Sequence, residues 1–344
     1  MSSPSECALS FTTRSGVNGA SVCIFPKTQS SRALIAKFNR CGHDAGLRLT
    51  YSLTVPQAMN NDTVLEYDSF GDPADPTVLL IMGFTAQMTA WPLELCEQIV
   101  GAGHHVVRFD NRDCGLSSKT AGDPPDVMKI VTAALAGLPV GDVPYSLSDM
   151  ASDAVAVLDA LGIKQAHIAG ASMGGMITQQ MAIDYPTRVA SIISIMSTTG
   201  APSVGQANPD ALAAMLGVPP SERSAAIERN VELRRIFSGP LFNEDRARET
   251  ATAAYDRSFY PSGAAFQIAA MAKTGDRTEA LQQLDHRALI IHGTADPVIT
   301  PSGGEATAAA ISQSTLLMID EMGHDLPRPL WDRFVSAIST HVAA

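Results

Sequence analysis

The chain has 344 residues, 45% of them hydrophobic and 17% charged, a balance that suits a soluble globular protein able to bury a sizeable core. Its 24 basic residues face 35 acidic ones, and the net charge of −11 disfavours a nucleic-acid or anionic-membrane partner. No apolar run approaches the roughly 18–20 residues of a membrane span, so no integral membrane association is expected.

Residues 1–45 differ from the rest. They hold five basic residues (Arg14, Lys27, Arg32, Lys37, Arg40), only two acids (Glu6, Asp44) and many Ser and Thr. Three readings fit: a disordered extension, an acid-poor organellar transit peptide, or a start placed too far upstream. The leader lacks a clear amphipathic face, and the unstructured extension is favoured. The cysteines (Cys7, Cys23, Cys41, Cys96, Cys114) are odd in number and show no CxxC pairing, so neither a disulfide framework nor a zinc site is indicated. Reduced thiols in a cytoplasm are the expectation.

From Leu49 onward short β-rich runs alternate with longer helical stretches. Strands are predicted over Leu49–Val55, Val64–Phe70, Thr77–Met82, His105–Phe109, Ala166–Ala169, Ala190–Met196, Ala288–His292 and Thr315–Ile319. Several are continuous apolar runs, as central strands buried on both faces require. The first two are close enough to pair as a hairpin. Helices are predicted over Leu147–Leu161 and Gly175–Tyr185, the latter followed by Pro186. This alternation implies an α/β fold with a mostly parallel sheet flanked by helices on both faces.

The alternation stops between Gly200 and Asp285. Helical stretches (Ser221–Phe237, Asp245–Phe259, Ala264–Lys273) are cut by proline and glycine, and no convincing strand occurs. The expected organisation is a core of residues 46–199 and 286–344 with a helical cap insertion over 200–285. The cap is rich in Ala, Met, Leu and Ile, and Met215, Phe237 and Met271 are its candidates for lining a pocket.

The chemistry centres on Gly170-Ala171-Ser172-Met173-Gly174, at the end of a predicted strand and the start of a predicted helix. In that setting it matches the G-x-S-x-G nucleophile elbow, where small neighbours permit a tight turn that exposes the serine. A serine needs a histidine to take its proton and a carboxylate to orient that histidine. Asp296 follows the strand ending at His292, and His324 follows the strand ending at Ile319, giving the chain order Ser, Asp, His. Asp296 is preferred as the acid over Asp325, which is too local to orient the ring of His324. The alternative acid position after Met196 offers only Ser197, Thr198 and Thr199. The oxyanion hole is expected to use the backbone N–H groups of Met173 and Phe84, with Gly83 letting the chain turn toward the site.

The remaining histidines fit structural roles: His167 and His292 on core strands, and His104, His105, His286 and His341 solvated at element ends. Asp110, Arg112 and Asp113 read as a salt-bridge network that fixes their loop beside the elbow. Cys114, in the same loop, is supplied with no base.

These residues resemble the α/β-hydrolase superfamily from about Leu49 to Val342. The resemblance is carried by Met82-Gly83-Phe84, Asp110-Asn111-Arg112-Asp113-Cys114-Gly115-Leu116-Ser117, the elbow, Asp296-Pro297 and Gly323-His324-Asp325-Leu326-Pro327. The Asp-Asn-Arg-Asp loop and the Met-Gly-His-Asp-Leu-Pro ending look like the branch of anthracycline methylesterases and related carboxylesterases. Met82 stands where many relatives place a histidine. The resemblance implies ester hydrolysis through an acyl-enzyme, without cofactor; no metal is expected, and the apolar composition of the cap suggests a small-molecule ester with an apolar acyl or ring moiety. Lactonase, thioesterase and carbon–carbon bond hydrolase use the same triad and stay open. Ser172 argues against the dehalogenases and epoxide hydrolases, which attack with a carboxylate. A non-catalytic ligand receptor is the rival of another class, and an intact triad disfavours it.

Overall fold

The computed structural model describes residues 56–217 and 220–344. The leader 1–45 and the predicted strand Leu49–Val55 lie outside the described residues. The hairpin at the start of the described chain is instead formed by β1 (Gln57–Asn60) and β2 (Thr63–Phe70), paired antiparallel. Gln57–Asn60 carries no β-branched residue and gave no strand signal.

Eight strands form one sheet in the order β1-β2-β4-β3-β5-β6-β7-β8. β3 (Thr77–Ile81), β4 (His105–Phe109), β5 (Ala166–Ala171), β6 (Val189–Ile195), β7 (Ala288–Gly293) and β8 (Ser314–Ile319) run parallel, and β2 joins β4 antiparallel. β3, β4 and β7 are buried along their whole length, as continuous apolar runs predict. Leu79 and Ile81 face one core layer while Val78 and Leu80 face the other, the alternation of a pleated strand.

One layer is closed by α3 (Leu147–Ala160) and α4 (Met173–Asp184), whose Leu147, Met150, Ala151, Ala154, Ile177 and Met181 are buried at helical spacing. The other layer is closed by α1 (Leu93–Gly101) and α11 (Trp331–Ala343) through Leu95, Ile99, Trp331, Phe334 and Ile338. α2 (Val127–Leu135) lies between β4 and α3 in sequence.

Between β6 and β7 the described residues form five α-helices, one short 3-10 turn (Gly239–Leu241) and no strand: α5 (Pro209–Leu216), α6 (Arg223–Phe237), α7 (Glu244–Arg257), α8 (Gly263–Thr274) and α9 (Thr278–Leu281). They do not pack as one body. α6 and α7 share a small core of Ile227, Val231, Ala247 and Ala251. Phe266 and Ala270 of α8 and Leu281 of α9 are instead buried in the main layer with α3 and α4. α10 (Ser302–Ala310) follows β7.

His104 and His105 depart from the expectation of solvated rings, being 5% and 1% exposed. His105 sits between Thr77 Oγ1 at 3.0 Å and Ser69 Oγ at 2.8 Å, and His104 Nε2 meets Ser339 Oγ at 3.0 Å. Hydroxyl partners on β2, β3 and α11 make burial of these rings tolerable, and burial lowers the pKa of both.

Candidate active site

Parallel strands with right-handed crossovers bring their following loops to one edge of a sheet. Ser172 follows β5, Asp296 follows β7, and His324 follows β8, so the three loops share the carboxyl edge.

Ser172 lies between β5 and α4 at φ +57°, ψ −121°. This left-handed geometry is costly for a residue with a side chain and marks a strained turn. The turn is held by its own backbone: Ser172 N–H donates to Ile195 O at 2.9 Å, and Ser197 Oγ donates to Ser172 O at 2.8 Å. Close approach explains the glycines. A Cβ on Gly170 would stand 2.0 Å from Gly174 O, and one on Gly174 would stand 2.1 Å from Ile81 O. α4 therefore starts directly against the ends of β3 and β5.

Asp296 is buried, with both carboxylate oxygens engaged. Oδ1 accepts from the N–H groups of Val298 at 2.9 Å and Ile299 at 3.0 Å. Oδ2 lies 2.7 Å from His324 Nδ1. With an acceptor-only carboxylate opposite, the neutral ring carries its proton on Nδ1 and leaves Nε2 as a lone pair. His324 is also fixed by its backbone, since its N–H donates to Phe237 O at 2.7 Å at the end of α6.

Behind the acid, the buried His292 contacts Ile299 O through Nε2 at 2.8 Å, and desolvation keeps its pKa low. Its Nε2 is 3.6 Å from Asp296 Oδ2, beyond a hydrogen bond. Asp325, the rejected alternative acid, accepts from Ser238 Oγ at 2.9 Å and from Leu326 N–H at 2.8 Å, not from His324.

Gly83 packs against the serine: a Cβ there would stand 2.9 Å from Ser172 Cβ. The Phe84 side chain rests on the main core layer. Among the described residues no protein acceptor takes up the N–H of Phe84 or of Met173.

The Asp110 loop differs from its expected network. Arg112 does not pair with Asp110 or Asp113; its guanidinium makes a two-pronged contact with Asp153 of α3, at 2.6 and 2.7 Å. Asp113 is turned to Thr120, accepting from its N–H and its hydroxyl. Asp110 is fully buried and accepts from Met88 and Leu116 N–H groups. Its cation is Arg257 of α7, at 2.7 Å, with Glu66 also 3.7 Å from that guanidinium. Sequence spacing carried no signal for either partner. The Cys114 thiol is pushed up to about 12 by burial, which leaves it inert.

A cleft of about 510 Å³ opens between α2, α4 and α8, walled by Leu138, Met176, Pro202, Met271, Lys273 and Arg277 among others. Met176 is four residues beyond Ser172 on α4. Of the three named cap residues only Met271 lines this cleft; Met215 and Phe237 pack with Ala211, Val298 and Ile299 beside the Asp296 loop. Among the described residues no group of three or more His, Cys, Asp or Glu could hold a metal, and no helix is long and apolar enough to cross a membrane.

Residues 76–327 match the family described as the alpha/beta hydrolase fold. The chain is 28% identical over 308 residues to a rhodomycin D methylesterase of Streptomyces peucetius, covering 83% of this chain and 97% of the relative. It is likewise 28% identical over 264 residues to a 3-oxoadipate enol-lactonase of Acinetobacter baylyi, covering 75% and 86%. Among solved structures it resembles a meta-cleavage product hydrolase from Pseudomonas fluorescens, with TM-score 0.65, 21% identity, and 84% and 97% of the two chains covered.

Proposed function

The chain belongs to the α/β-hydrolase family, and from that premise we propose that it cleaves carboxylic esters as a serine hydrolase, with Ser172, His324 and Asp296 as its triad. The observation that carries this reading is the 2.7 Å contact between His324 Nδ1 and the buried Asp296. It leaves Nε2 free to act as a base. Similarity to a methylesterase along nearly the whole of that relative supports the choice of esters.

His324 Nε2 takes the proton of Ser172 Oγ as the oxygen attacks the ester carbonyl. The tetrahedral oxyanion is held by the N–H groups of Phe84 and Met173. The imidazolium, stabilised by Asp296, then protonates the leaving alcohol, and an acyl-enzyme remains. Water repeats the sequence to release the acid and restore Ser172. No cofactor or metal enters this scheme.

Of the described residues, those within 46–199 and 286–344 are assigned to the catalytic core and those within 200–285 to a helical cap, of which α8 and α9 also pack into the core layer. The cleft beside Met176 and Met271 is suited to an apolar acyl or ring moiety of a small-molecule ester. The buried free thiols of Cys96 and Cys114 suit a reducing cytoplasm. The same groups would open a lactone, and similarity to an enol-lactonase favours that as the second reading.

The test is a panel of chromogenic esters and lactones of graded acyl length, run on wild type and Ser172→Ala. Loss of the nucleophile should cut turnover on the order of a million-fold and abolish labelling by a fluorophosphonate. Retained turnover or labelling in the folded variant would remove Ser172 from its role. Preference for lactones over all open esters would favour the second reading.

A further inference from the structure

We propose that Gln267 of α8 is a positioning residue for the oxyanion loop: its side-chain amide sets the Phe84–Thr85 peptide and, through it, the direction of the Phe84 N–H. This rests on the reading of Phe84 as an oxyanion donor.

The Gln267 side chain is fully buried. Its Oε1 accepts the N–H of Thr85 at 2.8 Å, and its Nε2 donates to Arg112 O at 3.0 Å. One planar amide thus ties together the loop after β3 and the loop after β4, reaching both from α8.

Thr85 needs such a tie. It stands at φ +56°, a region that is costly for a β-branched residue, so the loop does not hold this geometry by propensity. The other restraints on the turn are local or weak: Ala86 N–H to Gly83 O at 3.2 Å, Thr85 Oγ1 to Phe84 O at 2.7 Å, and the Cys114 thiol to Thr85 O at 3.3 Å. The Gln267 contact supplies the rigid anchor. α8 is buried through Phe266 and Ala270, and its first residue, Gly263, packs so closely that a Cβ would stand 2.1 Å from Asp113 O.

The Thr85 N–H and the Phe84 N–H belong to successive peptides, so turning one re-aims the other. An oxyanion donor stabilises the transition state only where it is pre-aimed, and a displacement of about 1 Å costs about a hundred-fold in rate. Ground-state binding of the ester does not depend on that donor to the same degree.

Three variants read the proposal: Gln267→Met, which removes the acceptor; Gln267→Glu, which keeps an oxygen for Thr85 N–H; and Gln267→Asn, one methylene too short. The measurements are kcat and KM on p-nitrophenyl acetate and the inhibition constant of an aryl trifluoromethyl ketone, whose adduct with Ser172 carries an oxyanion. Met and Asn should lower kcat by about 10- to 100-fold, with KM within about threefold, and weaken the ketone by the same factor as kcat. Glu in its protonated form offers an acceptor to Thr85 N–H and a donor to Arg112 O, so it should recover most of both at low pH relative to wild type at the same pH, and lose that recovery as pH rises and the carboxylate forms. Should the Met variant be recovered only as aggregate, the Glu and Asn proteins decide by their ranking. Unchanged kcat in Met or Asn, a loss carried by KM with the ketone unaffected, or a Glu variant as impaired as Asn at every pH would overturn the role of Gln267. A wild-type protein that hydrolyses no ester and binds no ketone takes down the functional reading itself; activity with silent Gln267 variants takes down only this inference.

Discussion

Asp296→Asn separates a catalytic acid from a structural one, because the surroundings decide how the new amide must sit. Asp296 Oδ1 accepts two backbone N–H groups, from Val298 and Ile299, while Oδ2 accepts from His324. An asparagine has one oxygen and one NH2. Turning the NH2 toward Val298 and Ile299 would leave two buried N–H groups unpaired, each costing about 1–3 kcal/mol. The oxygen therefore stays with the backbone, and the NH2 faces His324 Nδ1. Two donors cannot pair, so the ring moves its proton to Nε2 and loses the lone pair that Ser172 needs. In the proposed triad the wrong tautomer should lower turnover by about ten-thousand-fold, equivalent to about 5.5 kcal/mol in the barrier. The assay is kcat and KM on p-nitrophenyl acetate, with thermal melting to verify the fold. Asp325→Asn is the control: its carboxylate serves Ser238 and Leu326, and its loss should stay within about tenfold. An Asp296→Asn protein within tenfold of wild type, or Asp325→Asn as the larger loss, would refute the tautomer reasoning.

Arg257→Met should strand the fully buried Asp110 without its cation and lower stability by about 3–5 kcal/mol, seen as a fall in urea midpoint at constant m; a loss under about 1 kcal/mol would show that the pair is not integral. Met271→Ala and Met271→Phe should move acyl-chain preference in opposite directions, each by about 1–3 kcal/mol of discrimination, and identical chain-length profiles would remove Met271 from the pocket. His167, hydrogen-bonded to Ser191, is lowered by burial, then by Arg287, from 6.5 to about 4. Between those values the unfolded chain binds the proton and the folded one does not, so stability should fall as pH drops from 6.5 toward 4 and be flat above 6.5 for this group. His167→Gln should shallow that slope in urea midpoints measured at pH 7 and pH 5, and an unchanged slope would assign the acid sensitivity to other groups.

Strands β3 to β7 were legible because burial on both faces demands continuous apolar runs, which are a local property of the chain; β8, a partly exposed edge strand, was legible from its Leu316–Ile319 apolar run. The elbow was legible for the same reason: the turn at Ser172 excludes side chains at Gly170 and Gly174 within a few residues of itself. The helix α10 was not, since Ser302-Gly303-Gly304 opens it with two poor helix formers that are instead selected by contact, Gly304 lying against the His292 ring. The partners of charged residues were also illegible. Arg112 has Asp110 and Asp113 as near neighbours in sequence, yet it reaches Asp153, 41 residues away, because α3 presents that carboxylate beside the loop.

Contacts from the segment between β6 and β7 reach backbone or acid groups around the edge of the sheet, among them Phe237 O to His324 N–H, Gln267 to Thr85 N–H, and Arg257 to Asp110. Each joins residues more than 80 positions apart, and none belongs to a motif. Ser172 is held from within the core, by Ile195 O and Ser197 Oγ, whereas the Asp296 loop, besides its bonds from Val298 and Ile299, takes one from the segment itself, Asn208 N–H to Pro297 O at 2.8 Å. The histidine loop and the loop after β3 are held in part by the helices above them. An exchange of those helices that preserved every motif residue would therefore keep the proposed nucleophile in place, and it would loosen the loops that carry the proposed acid, base and oxyanion donor.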